Sequence, residues 1–158
     1  MNNTKERLPL ADALTHLLEE CRMVLPGIQA LFGFQLIAVF NSTFRENLTT
    51  SEQYLHLAAI GFVAIAIGLV MTPAAFHRQI DLRSVDDSFI VIGSRLLLLS
   101  MFPLLLGISF DFYLIARLIL NNRLLSLILD GILLVVIATL WFVFPRVRAL
   151  QNLLQLKS

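Results

Sequence analysis

Twenty consecutive residues, from Leu57 to Phe76, carry no charge and lead directly into a basic segment with His77, Arg78 and Arg83. A helix needs about 20 mainly apolar residues, at 1.5 Å each, to cross the hydrocarbon core of a bilayer. Lipid offers no hydrogen-bond partners, so a spanning helix must satisfy its own backbone groups. The run therefore predicts a membrane-spanning helix that ends in a basic segment at a membrane surface.

The composition indicates a membrane environment for the whole chain. Of the 158 residues, 58% are hydrophobic and 15% are charged, whereas soluble domains have about 45–50% apolar and about 25% charged residues. The formal net charge of +1 is too small to attract nucleic acid. The lipid bilayer is the predicted partner, and nucleic acid is not.

Four segments have the length and composition of a membrane span: residues 24–44, 55–76, 89–112 with an extension as far as 120, and 124–144. Before the first span, apolar side chains at helical spacing in residues 10–23 predict an amphipathic helix. It could lie on the membrane surface or extend the first span. The predicted fold class is an all-α membrane protein, a four-helix up-down bundle in one domain with a cytoplasmic tail, 145–158.

The third span is longer than a membrane requires. From Phe89 to Leu120 a helix would be about 48 Å long, against a hydrocarbon core of about 30 Å. The helix must project, tilt or end along the membrane surface. Asn121 and Asn122 tolerate left-handed backbone conformations and predict the turn into the fourth span.

The basic residues predict the orientation, because cytoplasmic flanks retain Lys and Arg. The loops after the first and third spans hold three basic residues, Arg45, Arg117 and Arg123. We therefore expect a multi-pass protein of the cell inner membrane with both termini in the cytoplasm. That side would hold eight basic residues: Lys5, Arg7, Arg22, Arg78, Arg83, Arg146, Arg148 and Lys157.

Polar residues within membrane spans are candidates for a function, because they are costly to bury in lipid. Gln29 either bonds to a neighbouring helix or lines a water-filled path. Arg95 lies six residues inside the third span, where it either snorkels to the headgroups or pairs with a buried carboxylate. The carboxylates within its predicted reach are Glu20, Asp86 and Asp87.

Two carboxylates, Asp111 and Asp130, are predicted at similar heights on neighbouring helices. Together they could bind a cation or share a proton. The alternative is that Arg117 pairs with one of them and that water reaches the other. The candidate ion-path or gating residues are thus Gln29, Arg95, Asp111 and Asp130.

A polar cluster is predicted at the cytoplasmic end of the first two spans, comprising Glu19, Glu20, Arg22, His77 and Arg78. Such a cluster anchors helix ends and contacts lipid headgroups, and a histidine beside carboxylates could also sense pH. The chain has no HExxH, GxSxG or glycine-rich phosphate motif. We predict no enzyme activity, no catalytic residue, no metal and no cofactor.

Small residues at helical spacing predict packing seams, either within the bundle or between subunits. One stripe lies on the second span, and the first span carries Gly27, Ala30 and Gly33. Four short spans bury little surface among themselves, so we expect a homo-oligomer or a complex with another membrane protein. The stripe of the second span comprises Gly61, Ala64, Gly68, Thr72 and Ala75.

The segments "EECRMVLPGIQALFGFQL", "MTPAAFHRQIDLRS" and "WFVFPRVR" resemble an uncharacterised bacterial family of small four-span integral membrane proteins, a domain of unknown function. The resemblance extends from about Leu17 to Arg148, and some members carry an automatic sodium/proton antiporter label. It departs after His77 and Arg78, where "QIDLRSVDD" replaces a basic, aromatic-rich run. The more acidic loop is less suited to contact anionic lipid.

Two functional hypotheses follow. The first is an oligomeric pore or transporter subunit for protons or monovalent cations. The second is a scaffold or accessory subunit that transports nothing and binds other membrane helices or anionic lipid.

Overall fold

The computed structural model describes residues 10–79 and 87–147, and these residues form helices and short turns with no strand. The helices are α1 (Leu10–Val39), α2 (Ser42–Asn47), α3 (Thr50–Gln79), α4 (Asp87–Leu120) and α5 (Arg123–Ala138). A π-helical turn, Thr139–Val143, continues α5. Four helices are long and apolar enough to cross a membrane, which confirms the predicted fold class.

Helix α1 joins the predicted amphipathic segment and the first span into one helix of 30 residues. It ends at Val39, five residues before the predicted end of the span. A turn follows, in which the N–H of Phe40 donates to the carbonyl oxygen of Ile37 at 3.1 Å. Asn41 and Ser42 follow, and short polar residues of these types favour a helix end because their side chains can compete for backbone hydrogen bonds.

Helix α4 runs without a break for 34 residues, which corresponds to about 51 Å and exceeds the hydrocarbon core. It ends at Leu120, at the far limit of the predicted third span. Asn121 then adopts a left-handed conformation with φ of 48°. The chain reverses there, as the asparagine pair indicates.

Asn122 caps the N-terminus of α5, since its side-chain oxygen accepts from the N–H groups of Leu124 (3.0 Å) and Leu125 (3.2 Å). Asn122→Ala should lower the free energy of unfolding by about 1 kcal/mol, because both N–H groups lose their acceptor. Asn122→Asp retains the acceptor and should remain near wild type. Denaturation of the detergent-solubilised protein measures both, and equal stability of all three proteins would contradict the assignment.

Helix α3 is central and packs along α1 and α4. Its fully buried face comprises Ala59, Val63, Ala66 and Val70. Gly107 brings α4 close to this face: a Cβ atom at Gly107 would lie 2.6 Å from Val63 Cγ2 and 3.2 Å from the Ala59 oxygen. Small residues thus bring α3 and α4 into close contact.

The predicted small-residue stripe lies on the opposite, exposed side of α3, and it is not a seam within the bundle. A Cβ atom added at Gly61 or Gly68 would meet nothing within 4 Å, and the same holds for Gly27 and Gly33 of α1. The stripes therefore face outward, where lipid or another protein can cover them.

Helix α5 packs chiefly against α4. Its best-buried side chain is Ser126, at 0% exposure, and most of its apolar side chains point outward. The rings of Phe102 and Phe142 stack with centroids 4.4 Å apart, which ties the π-helical turn to α4. Exposed apolar side chains are what a lipid-facing helix requires, so they do not by themselves indicate a protein partner.

Candidate functional site

A buried polar centre joins the three helices of the core. Gln35 of α1, His56 of α3 and Asp111 of α4 form it, and we name it the Asp111 centre. The Gln35 amide Nε2 donates to Asp111 Oδ2 at 2.6 Å, and His56 Nδ1 lies 3.1 Å from Asp111 Oδ1. Gln35 is 3% and His56 6% exposed. Polar groups buried this deeply in a membrane bundle are candidates for a function.

The contacts of His56 limit which of its ring nitrogens can donate a hydrogen bond. Its Nε2 lies 3.0 Å from the backbone oxygen of Gln35. A carbonyl oxygen only accepts, so Nε2 donates the hydrogen. The contact between Nδ1 and Asp111 Oδ1 is then a hydrogen bond only when a second proton lies between them, bonded to one atom or the other. Both contacts of His56 are therefore hydrogen bonds only in the state in which a proton lies between the imidazole nitrogen and the carboxyl oxygen.

A second polar pair lies nearer the end of the bundle. Glu52 precedes His56 by one turn of α3, and Arg117 follows Asp111 on α4. Arg117 Nε lies 3.6 Å from Glu52 Oε1, and Arg117 Nη1 donates to Asn121 Oδ1 at 3.0 Å. Arg117 thus pairs with Glu52. The alternative considered from the sequence, in which Arg117 pairs with Asp111 or Asp130, is not what the structure shows.

Thr49 and Glu52 form a capping box at the start of α3. The N–H and the hydroxyl of Thr49 both donate to Glu52 Oε2 at 2.8 Å. In return the N–H of Glu52 donates to Thr49 Oγ1 at 3.4 Å. The cap fixes the carboxylate that holds Arg117. This polar pair therefore lies one helical turn from His56, between the start of α3 and the Asp111 centre.

Two grooves adjoin His56. One, of about 240 Å³, lies between α1 and α4 and reaches all three residues of the Asp111 centre; its other walls are apolar and include Phe34 and Ile115. The other, of about 250 Å³, includes Tyr54 and Leu57. Phe44 lines both grooves, and its ring centroid lies 5.1 Å from that of His56. The centre is thus close to the bundle surface while remaining shielded by apolar side chains.

Asp130, the other candidate carboxylate, lies apart from the Asp111 centre. The hydroxyl of Ser109 donates to its two oxygens at 2.8 and 2.9 Å, within the contact between α4 and α5. Ser109 and Asp111 are two residues apart on α4 and so point about 200° apart around the helix. Asp111 faces α1 and α3, whereas Ser109 faces α5, and the two carboxylates do not share a site.

Gln29 and Arg95, the remaining ion-path candidates, are both exposed on the outside of the described bundle. Neither belongs to the Asp111 centre. Arg95 has no ion pair with Glu20 in the described residues, while Asp86 and the side chain of Asp87 lie outside them. The exposure of Arg95 fits the prediction that its side chain snorkels to the headgroups better than the prediction that it pairs with a carboxylate inside the bundle.

The predicted cytoplasmic cluster is only partly brought together. His16 Nδ1 lies 3.7 Å from Glu19 Oε2, and Glu20 is exposed. Arg22 and Arg78 line the same groove between α1 and α3. The side chain of His77 lies outside the described residues. Among the described side chains, no three His, Cys, Asp or Glu residues are placed to hold a metal ion.

The sequence interpretation missed Gln35, His56, Glu52 and Ser109 as site residues. One signal could have found two of them: Glu52 and His56 are four residues apart and so share a face of α3 at the start of the second span. Nothing local in the sequence indicates that this face meets Gln35 and Asp111.

The fold and the Asp111 centre define an all-α protein with four helices suited to cross a membrane and a buried polar site. Residues 3–145 match a family of unknown function (DUF6328), and the chain belongs to this family. This match agrees with the resemblance to a domain of unknown function that the sequence motifs indicated. A search of curated proteins found no match, and neither did a search of solved structures.

Proposed function

We propose that the protein is a subunit of a membrane transporter that exchanges protons for monovalent cations at the Asp111 centre. The observation that carries the proposal is the pair of buried contacts of His56, 3.1 Å from Nδ1 to Asp111 Oδ1 and 3.0 Å from Nε2 to the Gln35 oxygen. Both are hydrogen bonds only when a proton lies between Nδ1 and Oδ1. Loss of that proton would leave two lone pairs facing each other. A cation that enters the gap, or separation of α3 from α4, would relieve the repulsion.

A further oxygen is available to such a cation. Gln35 Oε1 is buried and, within the described residues, accepts no hydrogen bond. A buried acceptor without a donor costs about 1–3 kcal/mol. Together with the two oxygens of Asp111, it offers oxygen ligands of the kind that hard cations such as Na⁺ or K⁺ favour. A proton and a monovalent cation would then compete for one site.

The packing of the core favours a transporter over an open pore. Beyond the Asp111 centre the face of α3 toward α1 and α4 is filled by Ala59, Val63, Ala66 and Val70, each at 0% exposure. Water cannot pass through such a core, so transport requires a movement of helices or a path between subunits. We place the protein in a bacterial inner membrane with both termini cytoplasmic, which puts the Asp111 centre in the outer half of the bilayer.

Flux into liposomes tests the proposal. Purified protein is reconstituted with a pH-sensitive dye inside the vesicles, and NaCl or KCl is added outside. We expect the internal pH to change after addition of at least one of the two salts, at a rate proportional to the amount of protein. No proton movement with either salt, and none across an imposed pH gradient, would overturn the proposal.

A role as a scaffold or as an oligomer has its own support in the exposed small-residue stripe of α3. Gly61 and Gly68 leave open space outside the bundle, and small residues let two membrane helices approach closely. We propose that this face contacts a second copy of the chain. The contact is compatible with transport and would also serve a subunit that transports nothing.

Replacement of both Gly61 and Gly68 by leucine should weaken this self-association. Leucine fits at either position in the monomer, because nothing lies within 4 Å of the added Cβ, but it keeps a second helix away. The dissociation constant, measured by energy transfer between labelled chains in vesicles, should rise by about tenfold, equivalent to about 1.4 kcal/mol.

Gly131→Leu is the matched control for this association experiment. Gly131 also has nothing within 4 Å of an added Cβ, but it lies on α5. An equal loss of energy transfer in the control, or no loss in the double variant, would contradict the role of the stripe.

A further inference from the structure

We infer that the groove between α1 and α3 at the opposite end of the bundle binds one anionic phospholipid, with its phosphate on Arg22 and Arg78 and an acyl chain along the apolar wall. The groove is about 290 Å³ in volume, and we name it the Arg22 groove. Its lining comprises Leu18, Cys21, Arg22, Leu25, Val70, Met71, Ala74 and Arg78.

The two arginines supply the charge. They come from antiparallel helices, line one groove and are both exposed. Among the side chains that the structure describes, neither guanidinium is in an ion pair. The nearby carboxylate of Glu19 lies instead 3.7 Å from His16. Paired guanidinium groups suit phosphate, because each can donate two parallel hydrogen bonds to its oxygens.

The remaining walls suit an acyl chain. Leu25, Val70 and Met71 extend from the arginines toward the middle of the bundle. From Arg78 back to Val70 is eight residues of helix, or about 12 Å. A ligand that fits this groove has a negative head and an apolar tail, which is the form of a phospholipid. A soluble phosphate would use only the charged end.

The depth of the groove also favours a membrane lipid. Arg78 lies two residues beyond Phe76, where the apolar window of α3 ends, so its guanidinium is at the level of headgroups. Basic pockets between membrane helices bind anionic headgroups on the cytoplasmic side, where such lipids are common. All the lining residues lie on α1 and α3, before the acidic segment that follows Gln79.

Lipid binding to delipidated full-length protein in detergent tests the inference. Phosphatidylglycerol should bind with a defined stoichiometry in native mass spectrometry, and phosphatidylcholine should bind more weakly. Arg22→Gln combined with Arg78→Gln should raise the dissociation constant for phosphatidylglycerol by about tenfold or more, equivalent to about 1.4 kcal/mol. Arg146→Gln, which removes an exposed arginine of the last helix, should leave it unchanged.

A second variant separates a lipid from a free phosphate. Ala74→Phe keeps both arginines but fills the apolar part of the groove, and it should weaken phosphatidylglycerol binding. Inorganic phosphate should not displace the lipid. Equal binding of the two lipids, or an equal loss of affinity in the Arg146 variant and the double variant, would overturn the inference. So would wild-type binding of phosphatidylglycerol by Ala74→Phe, or displacement of that lipid by inorganic phosphate.

Discussion

Asp111→Asn is expected to reduce proton and cation flux to the level of protein-free liposomes while the protein remains folded. The carboxamide has nearly the shape of the carboxyl group and can still accept from Gln35 Nε2 or from His56, which hold Asp111 at 2.6 and 3.1 Å. It cannot take up and release a proton, and it does not attract a cation as a carboxylate does. A site that exchanges the two ions would therefore lose its function and keep its structure.

Asp130→Asn provides the matched control, because it makes the same chemical change in another membrane helix. Asp130 binds the hydroxyl of Ser109 between α4 and α5, away from the Asp111 centre. This variant should retain wild-type flux, and both variants should melt cooperatively in detergent. Normal flux in the Asp111 variant, or equal loss in both, would place the ion-binding site elsewhere.

Gly107→Leu is expected to have the largest effect on folding. Even a Cβ atom at this position would lie 2.6 Å from Val63 Cγ2 and 3.2 Å from the backbone oxygen of Ala59. The side chain of Val63 can shift slightly, but the backbone oxygen can retreat only if α3 and α4 separate. Forcing larger groups into a packed core costs about 1–3 kcal/mol, and we expect the upper end of that range.

The melting temperature and the yield of monodisperse protein measure this effect. Gly107→Ala should show a smaller loss than Gly107→Leu, and Gly131→Leu should show little, because nothing lies within 4 Å of a Cβ at Gly131. If all three variants melt like wild type, α3 and α4 are not in the close contact described here.

The spans could be predicted because the membrane imposes a length and a composition on each helix. The charge-free run from Leu57 to Phe76 has the length of a spanning helix. As a helix it satisfies all its backbone hydrogen bonds within lipid. The helix ends were harder to predict. Apolar residues continue beyond Val39 to Phe40 and Phe44, and only the competing polar side chains between them mark the turn.

The functional site could be predicted in part. Asp111 stands out in the sequence because a carboxylate is costly within a membrane span. Its partners could not be derived, because the sequence of one helix does not fix how neighbouring helices are rotated about their axes. Gln35 and His56 therefore looked like isolated polar residues in apolar surroundings, and Asp111 and Asp130 looked like neighbours.

The rotation of α4 explains this last difference. A hairpin at Asn121 and Asn122 does place Asp111 and Asp130 on adjacent helices. Helical geometry, however, directs Ser109 and Asp111 to different sides of α4. The side that carries Ser109 faces α5, so Asp130 meets a hydroxyl, and the side that carries Asp111 faces the core. The similar height of Asp111 and Asp130 along their helices was therefore not enough to predict that the two carboxylates meet.

Infrared difference spectroscopy of the protein in lipid bilayers tests the central claim most directly, because it detects protonation of a carboxyl group without any transport. Between about pH 3 and pH 9, a range that includes the usual titration of His and carboxyl groups, we predict a carboxyl band that changes with pH. The band should respond to added Na⁺ or K⁺, disappear in Asp111→Asn and persist in Asp130→Asn. A spectrum in which the Asp111 variant retains every pH-dependent carboxyl band would contradict the proposed proton-binding centre.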